Sequence, residues 1–255
     1  MKLLKVLGLL IAGIALPSNL GFASKETIVA DTPEGELRLS VNLSPSPVFP
    51  PSLERDGMTD GTVTVLTAVS QQGELIDWLV VKASHYLLAR SVDNVIEEWN
   101  FDVPTLNGEP VPLVNRFDIS FESRGSFIDS TGVSSSMNLM LGNRLSGFHE
   151  YGVASIKDLD SIPEPIYVER PIFPQELLRG RSEMRAILDF YIDEEGEVHI
   201  PTVRAADDGV DDQLLIAAQN ALWQWKFSPP TIRGKPVVAK AAQPFVFRAL
   251  SMTSK

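Results

Sequence analysis

Two runs of carboxylates are the densest groups in the sequence that could do chemistry. Asp193-Glu194-Glu195 could pair two acids for proton transfer, although an exposed polar turn between two strands explains the run without a further assumption. The run Asp207-Asp208-x-x-Asp211-Asp212 could bind Ca²⁺, but it lacks the twelve-residue spacing of an EF-hand loop and fits the acidic start of a helix. We therefore expect no catalytic carboxylate pair and no metal site.

Other residues that usually carry catalysis are scarce. The 255-residue chain has no cysteine, which excludes a disulfide, a thiol nucleophile and a thiolate zinc site. Its three histidines, His85, His149 and His199, stand far apart and in no metal-binding spacing. The formal net charge of −11 argues against broad binding to nucleic acid or to anionic membranes. These features predict a protein that is not an enzyme and that holds no cofactor.

The first 23 residues have the pattern of an export signal. A short positive start, Met1 to Lys5, is followed by an apolar run from Val6 to Leu16, and small residues end at Ala23. An uncleaved inner-membrane anchor is the alternative, but a spanning helix needs about 20 apolar residues and Pro17 interrupts this run. We expect residues 1–23 to be a cleaved signal peptide.

An internal repeat organises the rest of the chain. Pro47-Val48-Phe49-Pro50 returns 124 residues later as Pro171-Ile172-Phe173-Pro174, and Trp99-Asn100-Phe101 returns 126 residues later as Trp225-Lys226-Phe227. The common order and the nearly constant spacing predict two copies of one domain, residues 45–122 and 169–250. Residues 123–168 between them are expected to be a linker, because residues 126–143 are rich in Ser, Gly and Thr.

Each copy has the residue patterns of a small α+β domain. Apolar residues alternate in two successive stretches that a glycine turn separates, which predicts a β-hairpin. Apolar residues then recur at the spacing of one helix face, over residues 92–99 and 218–225, and each stripe ends in a tryptophan. A last strand is predicted over residues 111–121 and 237–250. Each copy should therefore be β-β-α-β, a small antiparallel sheet with one main helix packed on one face.

This ordered set of motifs resembles the C-terminal domain of the TonB energy-transducer family. That family shows Tyr/Phe-Pro before an initial helix, a Gly-x-Val strand start, a helix that ends Trp-basic-Phe/Tyr, and a Gly-Lys-Pro turn. The first copy keeps Phe49-Pro50 and Gly61-Thr62-Val63, and the second keeps Trp225-Lys226-Phe227 and Gly234-Lys235-Pro236. Met184 stands where the strand-opening Gly is usual. The resemblance covers about 160 residues in two tandem copies.

The resemblance implies that the chain binds a protein. Domains of this family take up an extended peptide, the TonB box of an outer-membrane transporter, alongside the last strand of the sheet by β-augmentation. The edges of the last strands, and the Phe-Pro segments near them, are therefore the expected peptide-binding sites. The candidate residues are Val111, Val114, Phe117, Ile119, Val237, Val238, Phe245, Phe247, Phe49, Pro50, Phe173 and Pro174.

Departures from the family pattern shape the expected function. A full transducer has an uncleaved membrane helix and a long Pro-rich spacer, and the sequence before the first copy matches neither. We therefore expect a soluble periplasmic module that captures an extended segment of an outer-membrane or periplasmic partner, within TonB-linked transport. The alternative is a structural protein whose two domains pair with each other, or which forms a homodimer, without a peptide groove.

Overall fold

The computed structural model of the chain describes residues 25–32, 35–123, 125–129 and 151–249. These residues divide into two compact units, a first unit of residues 25–152 and a second unit of residues 153–249. Within the described ranges, no helix is long and apolar enough to cross a membrane.

The first unit contains two antiparallel sheets and one main helix. Its elements are β1 (Lys25–Thr32), β2 (Gly35–Asn42), α1 (Pro51–Arg55), β3 (Asp60–Val69), β4 (Leu75–Ala83), α2 (Tyr86–Ile96), β5 (Asn100–Phe101), β6 (Thr105–Leu106), β7 (Glu109–Pro110), β8 (Leu113–Glu122), β9 (Gly125–Asp129) and β10 (Tyr151–Gly152). The main sheet has the strand order β10-β4-β3-β8-β9. The smaller sheet has the order β1-β2-β6-β7, and β5 also pairs with β2.

The second unit repeats this plan with fewer strands. Its elements are a 3₁₀ turn (Ile156–Asp158), β11 (Pro165–Tyr167), a second 3₁₀ turn (Gln175–Leu178), β12 (Glu183–Ile192), β13 (Val198–Ala206), α3 (Asp212–Leu222), β14 (Lys226–Phe227), β15 (Thr231–Ile232), β16 (Lys235–Pro236) and β17 (Ala239–Arg248). The main sheet has the order β13-β12-β17, while β11 pairs with β14 and β15 pairs with β16.

The predicted α+β fold is confirmed in both units, as β3-β4-α2-β8 and as β12-β13-α3-β17. The final strands begin two residues later than predicted, at Leu113 and Ala239. The reason is a backbone contact that repeats in both copies. The N–H of Val111 donates to the carbonyl of Pro104, and the N–H of Val237 donates to that of Pro230, each at 2.9 Å, so these residues pair with a loop instead of the sheet.

The two main helices also end earlier than their apolar stripes indicated. Helix α2 ends at Ile96 and α3 at Leu222, so Trp99 and Trp225 each lie three residues beyond a helix. Both tryptophans remain buried because the chain turns there: the N–H of each donates to the carbonyl three residues before it, at 3.1 and 3.0 Å. Each tryptophan thus packs into the core of its unit from the turn that follows the helix.

Each copy begins earlier than its sequence motifs show. The indole N–H of Trp99 donates to the carbonyl of Pro45 at 3.0 Å, and that of Trp225 donates to the carbonyl of Glu169 at 2.8 Å. A second bond repeats in the same way, from Asp102 N–H to Ser40 and from Ser228 N–H to Glu164, both at 2.8 Å. Pro45 and Glu169 are 124 residues apart, the same offset as the Phe-Pro motifs. Residues 36–45 and 160–169 therefore belong to the repeat.

Both cores are closed by aromatic rings beneath the main helix. In the first unit Trp99 meets Phe117 edge to face, with ring centroids 5.6 Å apart. In the second unit Trp225 lies 5.7 Å from Phe245, and Phe190 stacks on Phe227 at 5.5 Å. Such aromatic pairs add about 0.5–1.5 kcal/mol each beyond the area that they bury.

Gly196, in the turn between β12 and β13, lies very close to another stretch of backbone. Gly196 has φ +85°, and a Cβ placed on it would lie 2.0 Å from the carbonyl oxygen of Phe227. The turn that holds Gly196 meets strand β14 there, and the N–H of Phe227 donates to the carbonyl of Gly196 at 2.8 Å. Gly73 takes the same position in the first unit, where a Cβ would lie 2.9 Å from the carbonyl oxygen of Phe101.

We predict that Gly196→Ala lowers the free energy of unfolding of the second unit by about 3 kcal/mol or more, from the backbone clash added to the left-handed φ. Gly234→Ala is the matched control. Gly234 also has a positive φ, +72°, but no atom lies within 4 Å of its Cβ position, so we expect a loss of only about 1–2 kcal/mol. Denaturant unfolding of the two variants measures the difference, and equal losses would contradict the close approach.

The first core contains a polar pair that the second core lacks. Thr67 and Asn115 face each other across β3 and β8, and both are buried. The Thr67 Oγ1 and the Asn115 Nδ2 have no hydrogen-bond partner among the described residues. The corresponding pair across β12 and β17 is Phe190 with Ala241, which is apolar. Buried polar groups without hydrogen-bond partners lower the free energy of unfolding, so this pair costs the first core stability that the apolar pair does not cost the second.

We predict that Thr67→Val raises the free energy of unfolding of the first unit by about 1 kcal/mol, since it removes an unpaired hydroxyl without changing the side-chain volume. Thr64→Val, on the same strand, is the control. The Thr64 hydroxyl donates to the Asp118 carboxylate, so its removal should lower stability by about 1–2 kcal/mol. Amide exchange of β3 in each variant gives the values; a loss of stability in both variants would show that Thr67 has a partner after all.

Candidate functional site

The final strand of the first unit has neighbours on both sides. It pairs with β3 along its whole length, from Asp60↔Glu122 to Val69↔Leu113. On its outer side β9 pairs with it from Asp118↔Asp129 to Glu122↔Gly125. Strand β9 lies within residues 123–168, which were expected to be a linker. The outer edge of β8 over residues 118–122 is thus already used by the chain itself.

The final strand of the second unit is an edge strand. β17 pairs with β12 from Glu183↔Arg248 to Ile192↔Ala239. On its outer side, Ala154 bonds only to the start of the strand: its N–H donates to Val238 at 2.7 Å, and its carbonyl accepts from Lys240 at 3.4 Å. Over residues 241–248, no strand of the described ranges pairs with this outer edge.

Alternation along β17 shows which backbone groups face outward. Lys240 directs its N–H outward to Ala154, whereas Ala249 directs its N–H to Ser182 on the β12 side. Since direction alternates along an antiparallel strand, the even-numbered residues face outward. The outward donors beyond Lys240 are therefore the N–H groups of Ala242, Val246 and Arg248.

Pro244 interrupts this outward row. A proline has no N–H, and edge strands tolerate it where the missing N–H would have faced outward. The carbonyl of Pro244 is also occupied, because the Gln243 side-chain amide donates to it at 3.0 Å. The available edge is thus split into two short windows, one at Ala242 and one at Val246 and Arg248.

The apolar side chains predicted for peptide binding mostly lie in the cores. Val114, Phe117 and Ile119 in the first unit, and Val238, Phe245 and Phe247 in the second, are all buried. Val111 and Val237, which precede the strands, are half-buried. These strands can therefore meet a partner only through backbone atoms and through the opposite face. The outward residues Ala242 and Val246 lie within the predicted strand but were not among the named candidates, although the period-2 alternation with Phe245 and Phe247 was a signal for them.

The Phe-Pro segments have different surroundings in the two units. In the first unit Phe49 is buried and Pro50 half-buried beside a surface cavity of about 270 Å³, whose other wall is helix α2. The hydroxyl of Ser91 on α2 donates to the carbonyl of Val48 and holds the two walls together. In the second unit Phe173 is half-buried edge to face against Phe247, at 5.3 Å, and Pro174 is exposed.

The carboxylate runs have local structural partners. Asp193 accepts the backbone N–H groups of Glu195 and Glu197, at 3.0 and 2.7 Å, and so shapes the hairpin turn. Burial works against its charge, but hydrogen bonds from His199 and from the Glu197 N–H lower the pKa of Asp193 below its usual value. Asp211 caps α3 by accepting the N–H of Gln213 at 3.1 Å. Turn formation and helix capping account for these acids.

The geometry defines a class of protein: two small α+β domains, one of which presents the edge of its final strand. The family model described as the Gram-negative bacterial TonB protein C-terminal matches residues 45–123 and 169–249, more than half of the chain. The chain belongs to this family and carries two copies of its domain, a TonB-like protein-interaction module. The resemblance stated from the motifs is thereby confirmed.

Among solved structures, the solution NMR structure of the Pseudomonas aeruginosa TonB CTD is similar to part of this chain. The two are 24% identical, the match covers 40% of this chain and 97% of that one, and the TM-score is 0.31. No curated protein matches the chain.

Helix α2, one wall of the first-unit cavity, begins with a titratable cap. The Nδ1 of His85 accepts the N–H of Leu87 at 3.1 Å, which requires that this nitrogen carry no proton. Burial lowers the pKa of His85 below its ordinary value of 6.5, and the nearby carboxylate of Asp56 opposes this shift. The equivalent cap of α3 is Asp211, a carboxylate.

Acidification should therefore weaken the start of α2 more than that of α3. Because the pKa of His85 is lower in the folded chain, the unfolded chain takes up a proton there more readily. The stability that the neutral His85 cap gives to the folded state is therefore present above pH 6.5 and is lost as the pH falls through the lowered folded-state pKa. His85→Asn keeps a capping oxygen without this titration and should remove the effect. Amide exchange of both helices at pH 7 and pH 5 measures it; the same loss in the variant would exclude His85 as the cause.

Proposed function

We propose that this chain is a periplasmic protein-binding module that captures an extended segment of an outer-membrane or periplasmic partner by strand addition to β17, within TonB-linked transport. One observation carries the proposal: no strand of the described residues pairs with the outer edge of β17 from residue 241 onward, whereas β9 covers the equivalent strand β8 over residues 118–122. The second copy is accordingly the binding copy. The export signal expected over residues 1–23 would deliver the chain to the periplasm.

The two windows of β17 define how a captured segment pairs. A bound strand would meet outward backbone groups at Ala242 and again at Val246 and Arg248. Opposite Pro244 it would find neither a donor nor an unoccupied carbonyl. Each backbone hydrogen bond made to the strand contributes about 0.5–1.5 kcal/mol net, so two short windows favour modest affinity.

Side chains beside the edge supply the remaining contacts. Ala242, Pro244 and Val246 are exposed and apolar on the outer face of β17. At the two ends of the strand, Lys240 lies 3.6 Å from the Asp189 carboxylate and Arg248 lies 3.7 Å from that of Glu183. A segment with small or apolar residues at its centre and polar residues at its ends fits this surface.

The first copy has a structural role in this proposal. Its final strand already pairs with β9 over residues 118–122. Its central strand β3 is buried on both faces: Val63 and Val65 are buried on one face, and Leu66 and Ala68 on the other. In this proposal the second copy captures the peptide and the first copy does not.

The test is an NMR titration of the purified protein with TonB-box peptides from the outer-membrane receptors of the same genome. We expect saturable shifts of the amides of Ala242, Val246 and Arg248, with the β8 amides unchanged. Shifts on β8 alone, or none at millimolar peptide while the β17 amides are protected from exchange, would refute capture at β17.

Two variants at the edge sharpen this test. Pro244→Ala adds an outward N–H between the two windows and should tighten peptide binding about 2- to 10-fold, the value of one hydrogen bond. Val246→Pro removes an outward donor without touching the ladder to β12, and should weaken binding by a similar factor. Val246→Ala keeps the donor and controls for the lost side chain. If both proline changes leave the dissociation constant unaltered, the peptide does not pair with this strand.

A further inference from the structure

The second unit carries an exposed apolar segment that the proposed function does not use. The segment from Ile162 to Ile172, here called the 162–172 segment, contains β11 and lies between the two 3₁₀ turns. Five of its large apolar side chains are between 47% and 90% exposed. They are Ile162, Ile166, Tyr167, Val168 and Ile172. Large apolar side chains that are exposed together in one short segment are typical of interaction sites.

The first copy serves as an internal control for this feature. At the offset of 124 residues, Ile162, Ile166 and Val168 correspond to Arg38, Asn42 and Ser44, which are polar. The fold therefore does not require apolar residues at these three positions, whereas Ile172 corresponds to Val48, which is exposed and apolar in the first copy as well. The equivalent strand β2 is also covered on its outer edge by the antiparallel strand β1, from Lys25↔Asn42 to Thr32↔Gly35. No described strand covers β11 on its outer side.

The order of residues in the segment is self-complementary about its central tyrosine. When the segment is set antiparallel to a second copy of itself with Tyr167 opposite Tyr167, Ile162 meets Ile172 and Ile166 meets Val168. In the same register Glu164 of each chain faces Arg170 of the other, so the two-fold symmetry gives two pairs of opposite charge. A patch that matches itself in this way is the requirement for an isologous two-fold interface.

We propose that the 162–172 segment binds the same segment of a second copy of this chain, and that it forms a two-fold dimer centred on Tyr167. Apolar side chains make the contact, because Pro163, Pro165 and Pro171 remove backbone donors that a strand ladder would need. The Tyr167 hydroxyl stays satisfied within its own chain, since it donates to the Glu169 carboxylate at 2.7 Å. With a net charge of −11 on each chain, the dimer is weak at low ionic strength and tightens as salt screens the repulsion.

A charge swap tests the register directly. In Glu164→Arg, the introduced arginine would face Arg170 of the other chain. In Arg170→Glu, the introduced glutamate would face Glu164 of the other chain. Each variant alone should dimerise about tenfold more weakly than the unaltered protein, because like charges then meet. A mixture of the two variants should recover association, since every facing pair then joins an acid to a base. The double variant Glu164→Arg/Arg170→Glu should recover it as well.

Sedimentation equilibrium of the purified protein over a concentration series provides the measurement. A protein that stays monomeric up to about 1 mM would overturn the proposal. So would single variants that associate like the unaltered protein, or a mixture and a double variant that do not recover. TonB-box peptide binding to β17 should be unchanged in all of these variants, so this proposal and the proposed function can fail independently.

Cysteine cross-linking gives a second readout, because the chain has no cysteine of its own. Tyr167 lies at the centre of the proposed two-fold contact, so its two copies are brought close to each other and cysteines at this position can be joined by a disulfide. Under mild oxidation Tyr167→Cys should form a covalent dimer. Ile216→Cys, at an exposed position on helix α3 outside the segment, is the matched control. Equal cross-linking of the two variants would contradict a contact centred on Tyr167.

Discussion

A hydrogen bond from a buried tryptophan to a distant carbonyl is the interaction on which both copies depend. A buried indole N–H needs an acceptor. The acceptor lies 54 residues earlier in the first copy, at Pro45, and 56 residues earlier in the second, at Glu169. The bond ties the entering chain to the turn after the main helix, and in the first copy the Phe-Pro motif that follows lies beside that helix. The final strand then packs its phenylalanines against the same tryptophan.

Side-chain periodicity was enough to predict the two hairpin strands, the main helix and the final strand of each copy. The alternation in β12 and the apolar stripes of α2 and α3 indicate which residues face the core, because core positions need apolar side chains at the period of the element. The positions of Trp99 and Trp225 were predicted as buried for the same reason, although the helix ends before them.

The features that the sequence did not reveal are those that backbone atoms make. Pro45 and Glu169 accept the same bond with different side chains, so no residue pattern marks residues 36–45 and 160–169 as part of the repeat. Strand β9 covers β8 through backbone pairing in a stretch whose composition resembles a linker. Whether a final strand is an edge depends on such pairing, which is why both final strands were candidates and only the structure separates them.

Pro244 has a consequence for the solubility of the protein. A long strand with an uncovered edge is a template on which identical edges can stack, and this is how many β proteins aggregate. In β17 the missing N–H of Pro244 and its carbonyl, held by Gln243, break the hydrogen-bonding row in the middle. A short ligand can still bridge such a row in two places, but a continuous ladder of like strands cannot grow along it. The residue that would limit affinity in the proposed strand addition therefore also opposes fibril-like assembly of the chain.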